Sequence, residues 1–435
     1  MKKLTAQILL VCILALSMLG MASCGRNADG SVETTPETTV IVPGGNETSA
    51  GSGTSAGSGT SGGSETPQTP AAPNEIKNII LIIGDGMGLD HIAAAQMMYQ
   101  KKYNFTSWQF TTSNTDCAYA NGRVDATTAT DSAAGATALA SGKLAVRHTI
   151  GKDYEGNDVT TILDNAKALG KSTGIVTTDT LYGATPASFS AHHVSRYESA
   201  EIIDSQITSN VDLLCGHIDE VCTSKKTAIE AAGYAYCDDF ANVGVTMTAA
   251  KTYWQIDIGG AESVAKSATV ALKDASVQAL DFLDRDEDGF VIMIEQAHID
   301  KYAHKQDIVG TTWAVNSLND TVEAIIEWLG DRTDTAIVVT ADHETGGLSV
   351  SNESYYGKSV RARVKSEEGT YPYVYYSYGS NDHTRAKVGV YVYGIDADFS
   401  KFSYYENSST LKNINVYDLL LDVLQHPRTY GQRAA

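Results

Sequence analysis

Apolar residues run unbroken from Ile79 to Ile83 and stop at Gly84-Asp-Gly-Met-Gly88, where a single carboxylate sits between glycines. An apolar run of this length bounded by turn residues predicts a strand buried on both faces. Three further runs end the same way. Gly174-Ile-Val-Thr-Thr178 leads into a loop reaching Thr185-Pro186. Phe290-Val-Ile-Met-Ile294 leads into Glu295-Gln-Ala-His-Ile-Asp-Lys-Tyr-Ala-His304. Ala336-Ile-Val-Val-Thr340 leads into Ala341-Asp-His343. Helical patterns over Val159–Leu169, Ser263–Leu283 and Trp313–Leu329 alternate with these strands, and the alternation predicts a doubly wound α/β fold. Strands of such a sheet aim their carboxyl ends at the ligand crevice, which places Asp85 where chemistry is usually done. Gly-Asp-Gly also ends strands for turn reasons alone, so this stretch by itself leaves both readings open.

The N-terminal residues read differently. Lys2 and Lys3 precede an apolar run from Ile8 to Gly20, which is too short for a membrane span and reads as an export signal. Met21-Ala-Ser-Cys24 resembles the lipobox of bacterial lipoproteins, with Met21 where Leu is usual; that resemblance implies a signal over 1–23 and a lipidated Cys24. Residues 24–75 are dominated by Gly, Ser and Thr, and Ser49-Ala-Gly-Ser-Gly-Thr54 repeats at 55–60. Roughly 45 residues of this composition form a flexible tether with an r.m.s. span of about 35–40 Å. The expected globular body is 76–435, with an insertion at about 345–380. Location on this reading is exported, periplasmic or lipid-anchored at the outer membrane or cell surface.

With 43% hydrophobic residues the body can bury a large core, and a net charge of -20 argues against nucleic acid or anionic lipid as a partner. A phosphate substrate meets the same repulsion unless local cations reverse it. Cys117, Cys215, Cys222 and Cys237 lie in the body, and in an exported protein Cys215 and Cys222 are close enough in sequence to pair. No CxxC spacing supports a zinc ribbon.

Asp300 and His304 are four residues apart and share one face of a helical turn. Asp342 and His343 sit together at a strand end, and His383 lies in a Ser-Asn-Asp-His-Thr loop before the strand Val388–Tyr393. Asp and His together suit Zn²⁺, and burying so many acids without cations is prohibitive. Asp131-Ser-Ala-Ala-Gly135 opens a small-residue helix, whose N-terminus either holds an anion beside Ser132 or is simply capped by it. Asp284-Arg-Asp-Glu-Asp-Gly289 fits an EF-hand loop, but an apolar strand follows where an EF-hand requires a helix.

Taken together and in order, Gly84–Gly88, Thr130-Asp-Ser-Ala-Ala134, Ala184-Thr-Pro-Ala187, Ile299-Asp300 with His304, Thr340-Ala-Asp-His343 and Asp382-His-Thr384 resemble the motifs of the alkaline phosphatase family. That resemblance implies an α/β fold with a central, mostly parallel β-sheet sandwiched between helices. It implies hydrolysis of a small phosphate monoester through a phosphoserine at Ser132. One Zn²⁺ would be held by Asp300, His304 and His383, and a second by Asp85, Asp342 and His343. Asp85, Thr185 and Glu295 would hold Mg²⁺, and Arg196 would clamp phosphate. Gly183 departs from the family, which usually carries Asp or His there beside the third ion. Lys301 matches a lysine that reaches phosphate through water in some members; here it lacks the usual acidic neighbour, which is expected to let it sit closer to substrate. Tyr371–Tyr378 is expected as a strand, with a site rim or a homodimer contact as other readings. The competing functions are a phosphodiesterase or nucleotide pyrophosphatase of the same superfamily, and a non-catalytic surface-binding lipoprotein.

Overall fold

Ile79 to Ile83 form the centre of strand β1 (Asn78–Gly84), and successive side chains divide between two cores. Ile79, Leu81 and Ile83 enter one hydrophobic cluster, Ile80 and Ile82 the other. The alternation is the period-two geometry of a strand covered on both faces, so every position is apolar. The computed structural model of the protein describes residues 75–258, 270–351, 360–362, 365–366, 369–370, 374–402 and 410–426. These belong to the unit Pro70–Ala435; the unit Met1–Thr69, on which the expected export signal, Cys24 and most of the expected tether fall, lies outside the described residues.

The other strands are β2 (Gln109–Asn114), β3 (Ser172–Thr177), β4 (Leu213–His217), β5 (Ala235–Cys237), β6 (Thr252–Ile256), β7 (Phe290–Gln296), β8 (Thr335–Thr340), β9 (Glu344–Thr345), β10 (Leu348–Ser351), β11 (Val360–Ala362), β12 (Lys365–Ser366), β13 (Gly369–Thr370), β14 (Val374–Tyr378), β15 (His383–Thr384), β16 (Val388–Tyr393) and β17 (Leu411–Lys412). Ten of them form one sheet in the order β17-β2-β16-β8-β1-β7-β3-β4-β6-β5. Within that sheet β16 runs antiparallel to both β2 and β8, and the other recorded pairings are parallel. The fold is therefore the expected mostly parallel α/β sandwich.

Helices cover both faces. Ala136 and Leu139 of Ser132–Ser141, Ile162 of Ile162–Ala168 and Leu419 of Asn413–Gln425 pack on one side. Ile92 of Leu89–Tyr99, Leu280 of Leu272–Leu283 and Leu318 of Ile308–Leu329 pack on the other. Expected helix Ser263–Leu283 has its first residues outside the described set, and its described part starts at Leu272. Of the expected strand Tyr371–Tyr378, Val374–Tyr378 is a strand that pairs with β10 and β11 in a small antiparallel sheet, and 371–373 lie outside the described residues. Residues 284–289 join a helix to β7, as a helix–loop–strand connection rather than an EF-hand. Asp284 is also taken, because both Nη atoms of Arg332 reach its carboxylate at 2.7 Å. Cys117, Cys215, Cys222 and Cys237 are all buried free thiols, so Cys215 and Cys222, whose pairing the sequence left open, are not joined.

Two glycines let the layers close on the site. Gly86 adopts φ +73°, and a Cβ there would lie 2.9 Å from Asp300 Cα. Gly135 lets the Ser132–Ser141 helix approach β8's end, where a Cβ would meet the Asp342 carbonyl oxygen at 2.8 Å. Gly135→Ala is therefore expected to cost about 1–3 kcal/mol of stability, the usual range for overpacking. Gly244→Ala, where a Cβ meets nothing within 4 Å, is the control and should change little. Urea denaturation of both variants checks this; equal midpoints would contradict the close approach.

Candidate active site

Parallel register brings the acids together. Ile83 pairs with Glu295 on one side and with Thr340 on the other, and Thr177 pairs with the far side of Glu295. Asp85 and Asp342 each lie two residues beyond their paired positions, so Asp85, Glu295 and Asp342 collect at one end of adjacent strands. Asp300 joins them from the short helix His298–His304. All four carboxylates are buried, at 7%, 1%, 0% and 9% exposure for Asp85, Glu295, Asp342 and Asp300.

That burial is unfavourable without positive charge. Burial, then the charges of Asp342, Asp300 and Glu295, push Asp85 well above the ordinary carboxylate range. Burial, then the nearby Asp179 charge, pushes Glu295 up to about 8. Burial raises Asp342 to about 6 against the restraining Gly86 N–H. Burial would raise Asp300 too, but hydrogen bonds from His304 and His383 outweigh it and hold it well below 3.8. Asp85 Oδ1, Asp342 Oδ2 and Thr185 Oγ1 are buried with no hydrogen-bond partner. Buried polar atoms are normally satisfied, so three orphans in one set of candidate ligands call for a ligand outside the chain.

The histidines are oriented to supply lone pairs. His304 Nδ1 lies 2.7 Å from the Asn381 carbonyl oxygen and His383 Nδ1 lies 2.8 Å from that of Thr130. A carbonyl only accepts, so each Nδ1 keeps its proton, and Nε2, which shares its own proton with Asp300 in the bare chain, is the atom that offers a lone pair once a cation displaces that proton. His343 Nδ1 lies 3.2 Å from Thr345 Oγ1, whose own hydroxyl donates to Asp300 at 2.6 Å. The Thr345 oxygen is thus left to accept from His343, which likewise fixes a proton on Nδ1. Such outer contacts are the usual means of orienting metal-bound histidine.

The donor atoms have the spacing of a small cation's shell. His304 Nε2 and His383 Nε2 are 3.1 Å apart, and they lie 3.2 and 3.4 Å from Asp300 Oδ1. Tetrahedral zinc with bonds of about 2.0–2.1 Å sets its ligands about 3.3 Å apart. Around His343 Nε2 lie Asp342 Oδ2 at 3.2 Å, Asp85 Oδ1 at 3.5 Å and Ser132 Oγ at 3.2 Å. Ligand atoms of Asp85, Asp300 and His343 all fall within 4.8 Å of one another, so Asp300 stands between the two groups. The pairing of β15 with β9, His383 opposite Thr345, carries the late histidine into this cluster. The residues present therefore fit more than one divalent cation.

Ser132 opens its helix, and Asp131 before it caps the Ala134 N–H at 3.2 Å. Asp131 Oδ2 also accepts from Arg196 Nη1 at 3.0 Å and lies 3.1 Å from His148 Nδ1. One nitrogen of Arg196 is thereby tied beside Ser132. Thr185, on the short helix Ala184–Ser188, is buried near the Glu295 side. Lys301 corrects the sequence expectation. It does have an acidic neighbour, Asp179 just beyond β3, whose Oδ1 receives Nζ at 2.6 Å. Reading along the chain did not single out Asp131 as a partner for Arg196, His148, or Asp179. Asp131 offered a signal as an acid directly before a helix-opening serine; Asp179 offered only a polar strand end.

A profile of the alkaline phosphatase family matches residues 76–225 and 256–411. Alkaline phosphatase 3 of Bacillus subtilis is 31% identical over 304 residues, which cover 65% of this chain and 64% of that protein. Alkaline phosphatase 4 of the same organism is 30% identical over 311 residues, 68% of each chain. Among solved structures, the alkaline phosphatase from the Antarctic bacterium TAB5 superimposes with a TM-score of 0.66 at 24% identity, covering 81% of this chain and 99% of that one.

In the cation-stripped protein the sign of the pH dependence follows from these groups. Folding raises Glu295 from 4.5 to about 8, so it favours the protonated form. That contribution is complete below about pH 4.5 and is lost as pH rises through about 8. His304, raised from 6.5 to about 9 by Asp300, loses its contribution as pH rises from about 6.5 through about 9. His343 and His91, held neutral by burial, supply no further slope above about 6.5. Thermal unfolding of chelated protein should therefore show Tm falling between about pH 7 and 9. Cation-loaded protein should show a weaker trend; a rising Tm in the chelated protein would contradict the cluster.

Proposed function

Because the chain belongs to the alkaline phosphatase family, we propose that it is a metal-dependent phosphomonoester hydrolase with Ser132 as the nucleophile. The observation that carries this is Ser132 Oγ at 3.2 Å from His343 Nε2, inside a cluster that contains orphaned buried carboxylate oxygens. Asp300, His304 and His383 would hold one Zn²⁺, and Asp85, Asp342 and His343 the other. Asp85, Thr185 and Glu295 would hold Mg²⁺. When bound, these cations would supply positive charge that favours the serine alkoxide and steadies oxygens entering and leaving phosphorus.

The side chains then divide the work. Ser132 Oγ gives up its proton to solvent and forms a bond to phosphorus in line with the departing alkoxide, which takes a proton from solvent and leaves as the alcohol. Water then attacks the phosphoserine, losing a proton as the Ser132 oxygen leaves and regains one, and inorganic phosphate is released. Arg196, tied by Nη1 to Asp131, keeps its remaining N–H groups for phosphoryl oxygens, and a held guanidinium loses little freedom on binding. Lys301 adds a cation on the Asp179 side. Export and anchoring through Cys24 belong to the same proposal and rest on the lipobox resemblance.

Ser132→Ala is expected to abolish turnover and phosphoenzyme labelling with a radiolabelled monoester. Labelling that persists would reassign the nucleophile. A chelator should remove monoester hydrolysis, with Zn²⁺ and Mg²⁺ together restoring it, while a phosphodiester is a poor substrate throughout. Comparable diester turnover would favour the phosphodiesterase reading. Arg196→Ala should lower kcat/KM about 10–100-fold, from about 1.5–3 kcal/mol of charged hydrogen bonding, read from steady-state rates.

A further inference from the structure

Gly183 and Asp179 occupy each other's space. A Cβ built on Gly183 would lie 2.9 Å from Asp179 Oδ2 and 3.2 Å from its Cγ. The Asp179 carboxylate therefore fills the volume in which a side chain at 183 would begin. Its position is held from three directions. Asp179 Oδ1 receives the Thr180 N–H at 2.8 Å and Lys301 Nζ at 2.6 Å. The Asp179 N–H donates to Thr177 Oγ1 at 2.9 Å, and that hydroxyl donates to Glu295 Oε2. Oδ1 has two donors, while Oδ2 is the oxygen turned toward Gly183. Thr177 Oγ1 thus bridges the Asp179 N–H and the Glu295 carboxylate, which sets the two acids side by side. Two residues past Gly183, Thr185 Oγ1 is 1% exposed at the residue level and has no partner.

We propose that Asp179 is a positioning residue for the third cation, taking from a different point in the chain the place that a side chain at 183 would hold. The inference rests on the Mg²⁺ assignment to Asp85, Thr185 and Glu295. Oδ2 would face the cation's outer hydration shell, and Oδ1 would fix the Lys301 ammonium beside it. Mg²⁺ binds reluctantly without its waters, so a carboxylate that accepts from those waters strengthens binding without direct coordination. Gly183 is then a requirement of the arrangement, because any side chain there collides with Asp179.

Calorimetric titration of Mg²⁺ into the full-length, zinc-loaded protein tests this. Asp179→Asn keeps the volume and removes the charge; it should weaken Mg²⁺ binding about 10–100-fold with zinc content unchanged. The double variant Asp179→Ala with Gly183→Asp returns a carboxylate to the same space from position 183, and should bring Mg²⁺ affinity back to within about threefold of the parent. Asp179→Asn binding Mg²⁺ as the parent does would overturn the inference while leaving the proposed function standing. A folded double variant that is no tighter than Asp179→Ala would also overturn it, since the carboxylate's position would not be what matters. A parent protein that binds zinc but no Mg²⁺ would instead remove the three-cation reading on which the inference rests.

Discussion

Mutual repulsion among four buried carboxylates is the constraint on which the site depends. Asp85, Glu295, Asp300 and Asp342 are each less than a tenth exposed. Taking a single carboxylate out of water costs several kcal/mol even after relaxation, and like charges in contact add to it. Protons or cations must make up the difference. In the bare chain three of the four are driven toward the protonated form, and Asp300 stays ionised because it borrows positive charge from His304 and His383. Divalent cations resolve the same conflict without surrendering the charge, and they leave the histidine Nε2 lone pairs in use.

The fold enforces this conflict through ordinary strand geometry. Parallel pairing of β1 with β7 and β8 aligns three strand ends, so acids placed at those ends cannot avoid one another. The apolar alternation along β1 locks the register from both faces, because a slip of one residue would exchange its two cores. Gly86 and Gly135 then let the Asp300 segment and the Ser132 helix close to backbone contact. Rigidity follows from these contacts: Thr345 links His343 to Asp300, and Asp131 links the Ser132 helix to Arg196.

The net charge of -20 and the proposed anionic substrate would be reconciled locally rather than globally. Arg196 and Lys301 approach the cluster from separate segments, and each is held by an acid, Asp131 and Asp179, that orients it. Both ion pairs are partly shielded from solvent, so their value lies in where they place a cation more than in stability. With cations in the cluster, the site would be positive within an acidic chain, which would favour small phosphate anions over polyanions.

The sequence by itself determined the strands and most of the donor set. Unbroken apolar runs ending in Gly-Asp-Gly, Glu295 and Ala-Asp-His343 are local signals, because burial on two faces permits no polar residue until the strand ends. The spacing of Asp300 and His304 is local too, being one helical turn. What only the tertiary structure decided were relations across long separations. The place of His383 follows from the β15–β9 pairing, and the choice of Nε2 as donor atom follows from carbonyls of Thr130 and Asn381. The partner of Lys301 is 122 residues away in sequence, in Asp179, and no local pattern marks it. Gly183 showed a missing side chain in the sequence, but only packing showed another carboxylate in its space. Hydrophobic periodicity encodes which face is buried; it carries no record of which polar groups meet once those faces close.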